Sequence, residues 1–155
     1  MQPLPTLNLP EVSLQMRETS DGHTEILDPL RGKYVALTPE EWVRQNFTLF
    51  LINKLGYPRG LMANEVALRL NSTLRRCDTV VYSRRGMRAL MIVEYKAPHV
   101  QITQKVFDQI ARYNMVIGAE WLVVTNGMAH YCCRLRPDGR YEFTELIPAY
   151  DCLEQ

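Results

Sequence analysis

Three side chains near the middle of the chain have the types and spacing for phosphoryl chemistry: Asp78, Glu94 and Lys96. They lie in two apolar, strand-like runs, Arg76-Cys-Asp-Thr-Val-Val-Tyr82 and Leu90-Met-Ile-Val-Glu-Tyr-Lys96, separated by the turn-like Ser83-Arg-Arg-Gly-Met-Arg88. A hairpin centred on Gly86 sets position 78 opposite 94, 80 opposite 92 and 82 opposite 90. Side chains alternate faces along a strand, so Asp78, Glu94 and Lys96 then share one face. Two carboxylates facing each other on a sheet repel by roughly 0.2–1 kcal/mol, and burial adds to that cost. A divalent cation between them is the best compensation. Such hard oxygen ligands suit magnesium or manganese. The backbone carbonyl of Tyr95 is a third candidate donor, and Glu65 an optional further one, although an exposed strand carboxylate explains Glu65 more simply. Lys96 would reach the attacking water or the phosphate. A structural ion network suits the same three residues, and spacing alone does not separate the two readings.

These residues need elements to hold them. Thr38-Pro-Glu-Glu41 predicts a helix start, with Thr38 as N-cap, Pro39 at the first position and Glu41 completing a capping box. Trp42, Val43, Phe47, Phe50 and Leu51 follow at helical spacing, and Gly56-Tyr-Pro58 ends the helix near Leu55. A strand at Asn64–Leu70 precedes the hairpin. After the Ala97-Pro98 break, Ile102, Val106, Ile110, Tyr113 and Ile117 predict a second helix from about Thr103 to Ile117, capped by Gly118. Gln109 and Tyr113 are four apart on it and share a face, where they either orient a phosphate or the lysine, or simply pack. Trp121–Thr125 reads as a buried strand in parallel pairing, followed by strands at 129–134 and 141–146. The order points to an α/β fold with a central mixed sheet flanked by helices. Residues 1–37 read as a strand-bearing N-terminal arm, with alternation at Val12, Leu14 and Met16, a turn at Thr19–Gly22 and a short extended run at Lys33–Leu37. Residues 38–155 form the main domain, one globular unit overall.

The 155 residues suit a single core, and the net charge of +1 gives no global basic signature, so any nucleic-acid contact must come from local clustering. Arg69, Arg75, Arg76, Arg84, Arg85 and Arg88 surround the hairpin and offer such a cluster, with a solvated hairpin end as the plainer reading. Cys77, Cys132, Cys133 and Cys152 make no Cys-x-x-Cys pair and read as free thiols. His130 reads as structural. No apolar run is long enough for a membrane span, the N-terminus lacks the pattern of a leader, and the expectation is a cytoplasmic protein.

The ordered set Asp78, Glu94-Tyr-Lys96 and Gln109-Ile-Ala-Arg-Tyr113 resembles the PD-(D/E)XK nuclease superfamily. Within it, the set is most similar to the N-terminal endonuclease domain of type I restriction enzyme R subunits. Leu37-Thr-Pro-Glu-Glu-Trp-Val-Arg-Gln45, Arg75-Arg-Cys-Asp78, Val93-Glu-Tyr-Lys-Ala-Pro98, Asp108–Asn114 and Thr125-Asn-Gly127 extend the likeness over roughly residues 26–148. Cys77 stands where the superfamily's name has proline. The resemblance implies a restriction-endonuclease-like core, magnesium-dependent cleavage of DNA, and support of the site by Gln109 and Tyr113. It also brings restriction-system subunits and DNA into view as partners and leaves a homo-oligomer open. A chain of 155 residues leaves no room for the motor of a complete R subunit, and no Gly-x-x-x-x-Gly-Lys-Ser/Thr motif occurs in it. A catalytically silent module that binds nucleic acid or protein is the alternative on the same fold.

Overall fold

The computed structural model describes residues 3–154. Met1 and Gln2, part of the N-terminal reading, and Gln155 lie outside them. Three short strands, β1 (Met16–Glu18), β2 (Thr24–Asp28) and β3 (Lys33–Ala36), form an antiparallel sheet. The alternation read at Val12 and Leu14 is not strand; only its end at Met16 is, and Met16 is half exposed. The strand that sequence reading missed, β2, is the best buried of the three, with Ile26 and Asp28 fully enclosed.

Helix α1 (Pro39–Leu55) starts where Thr38 Oγ1 accepts the Glu41 N–H at 3.0 Å and ends at Gly56, whose φ of 72° favours glycine. The expected return half of the capping box is not made. The Glu41 carboxylate instead takes Arg31 Nη2 at 3.2 Å and Gln45 Nε2 at 3.0 Å, because a charged donor binds it more strongly than a peptide N–H. Helix α2 (Gln104–Ile117) is capped by Gly118, and a short α3 (Tyr150–Leu153) closes the described chain.

The main sheet has six strands in chain order: β4 (Met62–Leu70), β5 (Thr73–Tyr82), β6 (Ala89–Tyr95), β7 (Trp121–Thr125), β8 (His130–Leu135) and β9 (Tyr141–Thr144). Only β6 and β7 pair in parallel, with α2 as the crossover; the other neighbours are antiparallel. On one face Met91, Val93, Tyr95 and Val123 pack against Val43, Phe47 and Leu51 of α1. On the other, Val80, Ile92, Leu122 and Val124 pack against Ile110 and Tyr113 of α2. Adjacent Cys132 and Cys133 go to opposite clusters, as alternation demands, and both thiols are free.

Two irregularities place the site. The expected 80-to-92 pairing holds, but a bulge after Val81 pairs Tyr82 with Ala89 rather than with Leu90. The extra residue lets the six-residue connection close through the Ser83 N–H to Arg88 carbonyl bond. The second lies in β4. Met62 packs on the α1 side, whereas Val66, Leu68 and Leu70 pack on the α2 side, although all four would share one face of a regular strand. The face switches at Glu65, which has φ of 58° and is skipped by the β4–β5 ladder between Asn64↔Thr79 and Val66↔Cys77. The residue it would have faced is Asp78.

Candidate active site

Continuing the Thr79↔Val93 register sets Asp78 opposite Glu94. The β5–β6 ladder stops there, and Asp78 Oδ2 accepts the Tyr95 N–H at 2.9 Å, so a side chain takes over where the backbone pairing ends. Lys96 Nζ stands 3.6 Å from Glu94 Oε1. Asp78, Glu94 and Lys96 are therefore together at the C-terminal end of β6, each with its side chain a quarter exposed or less.

Burial pushes the Asp78 carboxyl up, against the opposing pull of the Tyr95 N–H and the Arg44 guanidinium. Burial and the Asp78 charge push Glu94 up to about 8, with Lys96 opposing. The two carboxyl groups are neighbours by register, and each perturbs the other's hold on its proton. A desolvated like-charge pair wants either that proton or a cation. Hard oxygen donors in this condition fit a divalent ion such as magnesium, which keeps several waters and needs only one or two carboxylates. Among the described residues, no three His, Cys, Asp or Glu side chains are grouped to hold an ion. Glu65, at the break in β4, takes Arg44 Nη2 at 2.8 Å, the same nitrogen that stands 3.4 Å from Asp78 Oδ1, so its charge is held by Arg44 beside the pair.

Arg44 is the residue that sequence reading missed. It sits on the second turn of α1 with 3% of its side chain exposed, and it reaches Glu65, Asp78 (3.4 Å) and Glu41 (3.3 Å). Its guanidinium lies 5.7 Å from the centroid of the Tyr95 ring. Four residues earlier, Glu40 feels the same site: burial and Asp78 raise its pKa, while Arg44 and Lys96 lower it. In sequence Arg44 stood only inside the Leu37–Gln45 run that carries the family likeness, beside the Val43–Phe47–Leu51 stripe, where a charged residue reads equally well as solvated.

Beneath the site runs a chain of buried polar groups. Thr79 Oγ1 donates to Asn64 Oδ1 at 2.6 Å, so the Tyr95 hydroxyl, 3.0 Å away, donates to Thr79. Asn64 Nδ2 donates to Asp28 Oδ2 at 2.9 Å, and Asp28 also holds the Arg31 Nε at 2.6 Å. Arg31 then reaches Glu41, next to Arg44. The N-terminal sheet is thus tied to the strands that carry the carboxylates.

The other sequence-derived candidates divide. Gln109 Nε2 donates to the Tyr113 hydroxyl at 3.1 Å; Gln109 is exposed and Tyr113 is buried among Leu68, Cys77 and Ile110. Neither makes a hydrogen bond to Asp78, Glu94 or Lys96 among the described residues. Arg75 and Arg76 lie within three residues of Asp78. Arg84, Arg85 and Arg88 belong to the turn beyond the C-terminal end of β5, Arg84 being six positions, about 20 Å at ~3.3 Å per residue, from Asp78 in mid-strand. A cleft of about 920 Å³ between Tyr82, Arg88, Gly118 and Arg136 opens at that far end, without a carboxylate pair among its lining residues. His130 is structural, its ring nitrogens 2.7 Å from Thr125 Oγ1 and 2.8 Å from the Asn8 carbonyl. Gly127, in the Thr125-Asn-Gly127 run, has φ of 85°, and a Cβ there would stand 2.7 Å from Leu7.

A mixed α/β sheet flanked by helices, with a carboxylate pair and a lysine gathered where the β5–β6 pairing ends, defines the class of protein. Residues 39–148, from the first residue of α1 to the approach to α3, match the family described as the type I restriction enzyme R protein N terminus (HSDR_N), and the chain belongs to that family. No curated protein matches the chain. No helix among the described residues is long and apolar enough to cross a membrane.

Proposed function

We propose that this domain is a PD-(D/E)XK-type, metal-dependent endonuclease acting on DNA phosphodiester bonds within a restriction system. The observation that carries the reading is the juxtaposition of Asp78, Glu94 and Lys96 at the end of β6. Asp78 and Glu94, with the Tyr95 carbonyl, would hold magnesium or manganese. Bound there, such an ion activates water and neutralises phosphate charge. Lys96 brings a fixed positive charge beside the carboxylates, where a phosphate or the attacking water needs one. Arg44 and the Tyr95 N–H hold Asp78 in place through separate oxygens. Ion binding requires Glu94 to give up its proton, so affinity should rise with pH.

Plasmid nicking with manganese at low salt tests the activity. Lys96→Ala and Asp78→Asn should each lose at least about a hundredfold, the scale of removing one positioned electrostatic group. Calorimetry should show manganese binding lost in Asp78→Asn. Equal residual nicking by wild type and Lys96→Ala would end the enzyme reading. A silent binding module is the second reading, favoured by one observation: Arg44 already supplies Asp78 with a buried counter-charge. It would lead if DNA binding persists without cleavage.

A further inference from the structure

Beyond Asp78 the β4–β5 pair leaves the sheet. Val66–Leu70 pairs with Thr73–Cys77, while β6 pairs with β5 only from Thr79 onward. The result is a two-stranded ribbon five residues long on each side, about 16 Å at ~3.3 Å per residue. Its turn is Asn71-Ser72, with φ of 51° and 66°, the two-residue connection whose twist matches paired strands. The side carrying Val66, Leu68 and Cys77 is packed with Ile110 and Tyr113 of α2. On the other side, the cross-strand pairs Ala67↔Arg76 and Arg69↔Leu74 are exposed, with Leu74 at 60%. Every residue from Asn71 to Arg76 is exposed.

The charge on this ribbon is of one sign. Arg69, Arg75 and Arg76 have no acidic residue among positions 66–77. The nearest counter-charge is Glu65 at the root, 3.9 Å from Arg76 and already engaged by Arg44. Arg69 and Arg76 on the open side, with Arg76 only sharing Glu65 with Arg44, and Arg75 exposed on the side of Leu68, leave this projection beside the carboxylate pair with an excess of positive charge that fits a polyanion. No aromatic residue lies on the ribbon, so it has no platform for stacking unpaired bases.

The geometry points to this ribbon as the element that holds duplex DNA: Arg69, Arg75 and Arg76 contact the phosphate backbone, and the Asn71-Ser72 tip reaches toward a groove. The inference deepens the nuclease reading by naming which surface takes the duplex and which form of nucleic acid it selects. The Glu65 break that turns the ribbon is also what frees Asp78 from the ladder, so the DNA-holding element and the carboxylates are set by one backbone feature.

The test is fluorescence anisotropy with a labelled 30-base-pair duplex, without divalent metal, across a range of sodium chloride. Arg69→Gln, Arg75→Gln and Arg76→Gln together should weaken binding at least about tenfold. The slope of log K against log salt should fall by roughly 3, near 0.9 per lost phosphate contact. All three side chains are exposed, so the urea midpoint should stay put; should it move, Arg76→Gln alone is read, with a slope change near 1 expected. An unchanged affinity and slope overturns the inference, as does equal affinity for a single strand of the same length. If the ribbon variant binds like wild type while wild type nicks plasmid in a Lys96-dependent way, the nuclease reading stands and this one falls. If the ribbon variant loses binding and wild type never nicks, the reverse holds.

Discussion

Arg44 shows how one buried side chain sets the character of a site. Its guanidinium balances Asp78, Glu65 and Glu41, yet its Nε and Nη1 find no hydrogen-bond acceptor. Removing one partner of a buried charge network costs far more than a surface ion pair, because the others stay desolvated. Arg44→Met is therefore expected to lose about 3 kcal/mol of stability in urea unfolding. Manganese should restore part of that loss, since a cation at Asp78 replaces the missing charge. Recovery in Arg44→Met but not in Arg44→Met/Asp78→Asn would tie the effect to the carboxylate pair.

Among the elements, the smallest helix makes the clearest pH prediction. The Glu154 carboxylate at the end of α3 accepts the Arg84 N–H at 2.6 Å, the Ser83 hydroxyl at 2.7 Å and the Tyr150 hydroxyl at 2.8 Å. The Arg84 N–H first, then Ser83, hold its pKa down to about 2. A folded pKa below the unfolded one stabilises above the ordinary carboxylate range, and that contribution is lost as pH falls toward about 2. Glu154→Gln should thus be less stable than wild type at neutral pH, and the two should converge in acid. Urea midpoints between pH 7 and 2 check this; a constant gap would show that the hydrogen bonds count but the charge does not.

Across the whole molecule, Asp28 joins the N-terminal sheet to the site. It is fully buried, and burial opposes its ionisation, but Asn64, the Arg31 N–H and the Arg31 side chain outweigh that and keep its pKa low. Asp28→Ala leaves Arg31 Nε and the buried Asn64 Nδ2 without their acceptor and should cost about 3 kcal/mol. Hydrogen exchange should quicken in β2, β3 and the first turns of α1 together. Loss of protection confined to β2 and β3 would mean the polar chain packs these parts without coupling them.

What the sequence determined by itself is local or periodic. Thr38-Pro-Glu-Glu41 and Gly56 bound α1, the apolar spacing from Val106 to Ile117 set α2, and Trp121–Thr125 was legible as the parallel strand because it is short, β-branched and apolar throughout. Alternation on a hairpin was enough to bring Asp78, Glu94 and Lys96 together. The rest depends on departures from period and on contacts distant in the chain. Alternation carries no mark of the Glu65 break or the bulge after Val81, since each is a local departure from the two-residue period itself. Nothing near Arg44 in sequence says that it faces Asp78, 34 residues away, rather than water. Two classes of arginine that look alike in the chain, Arg75 and Arg76 against Arg84, Arg85 and Arg88, are separated only when β5 is seen as a rod with Asp78 in its middle, the first two on the ribbon side of it and the other three in the turn beyond Tyr82.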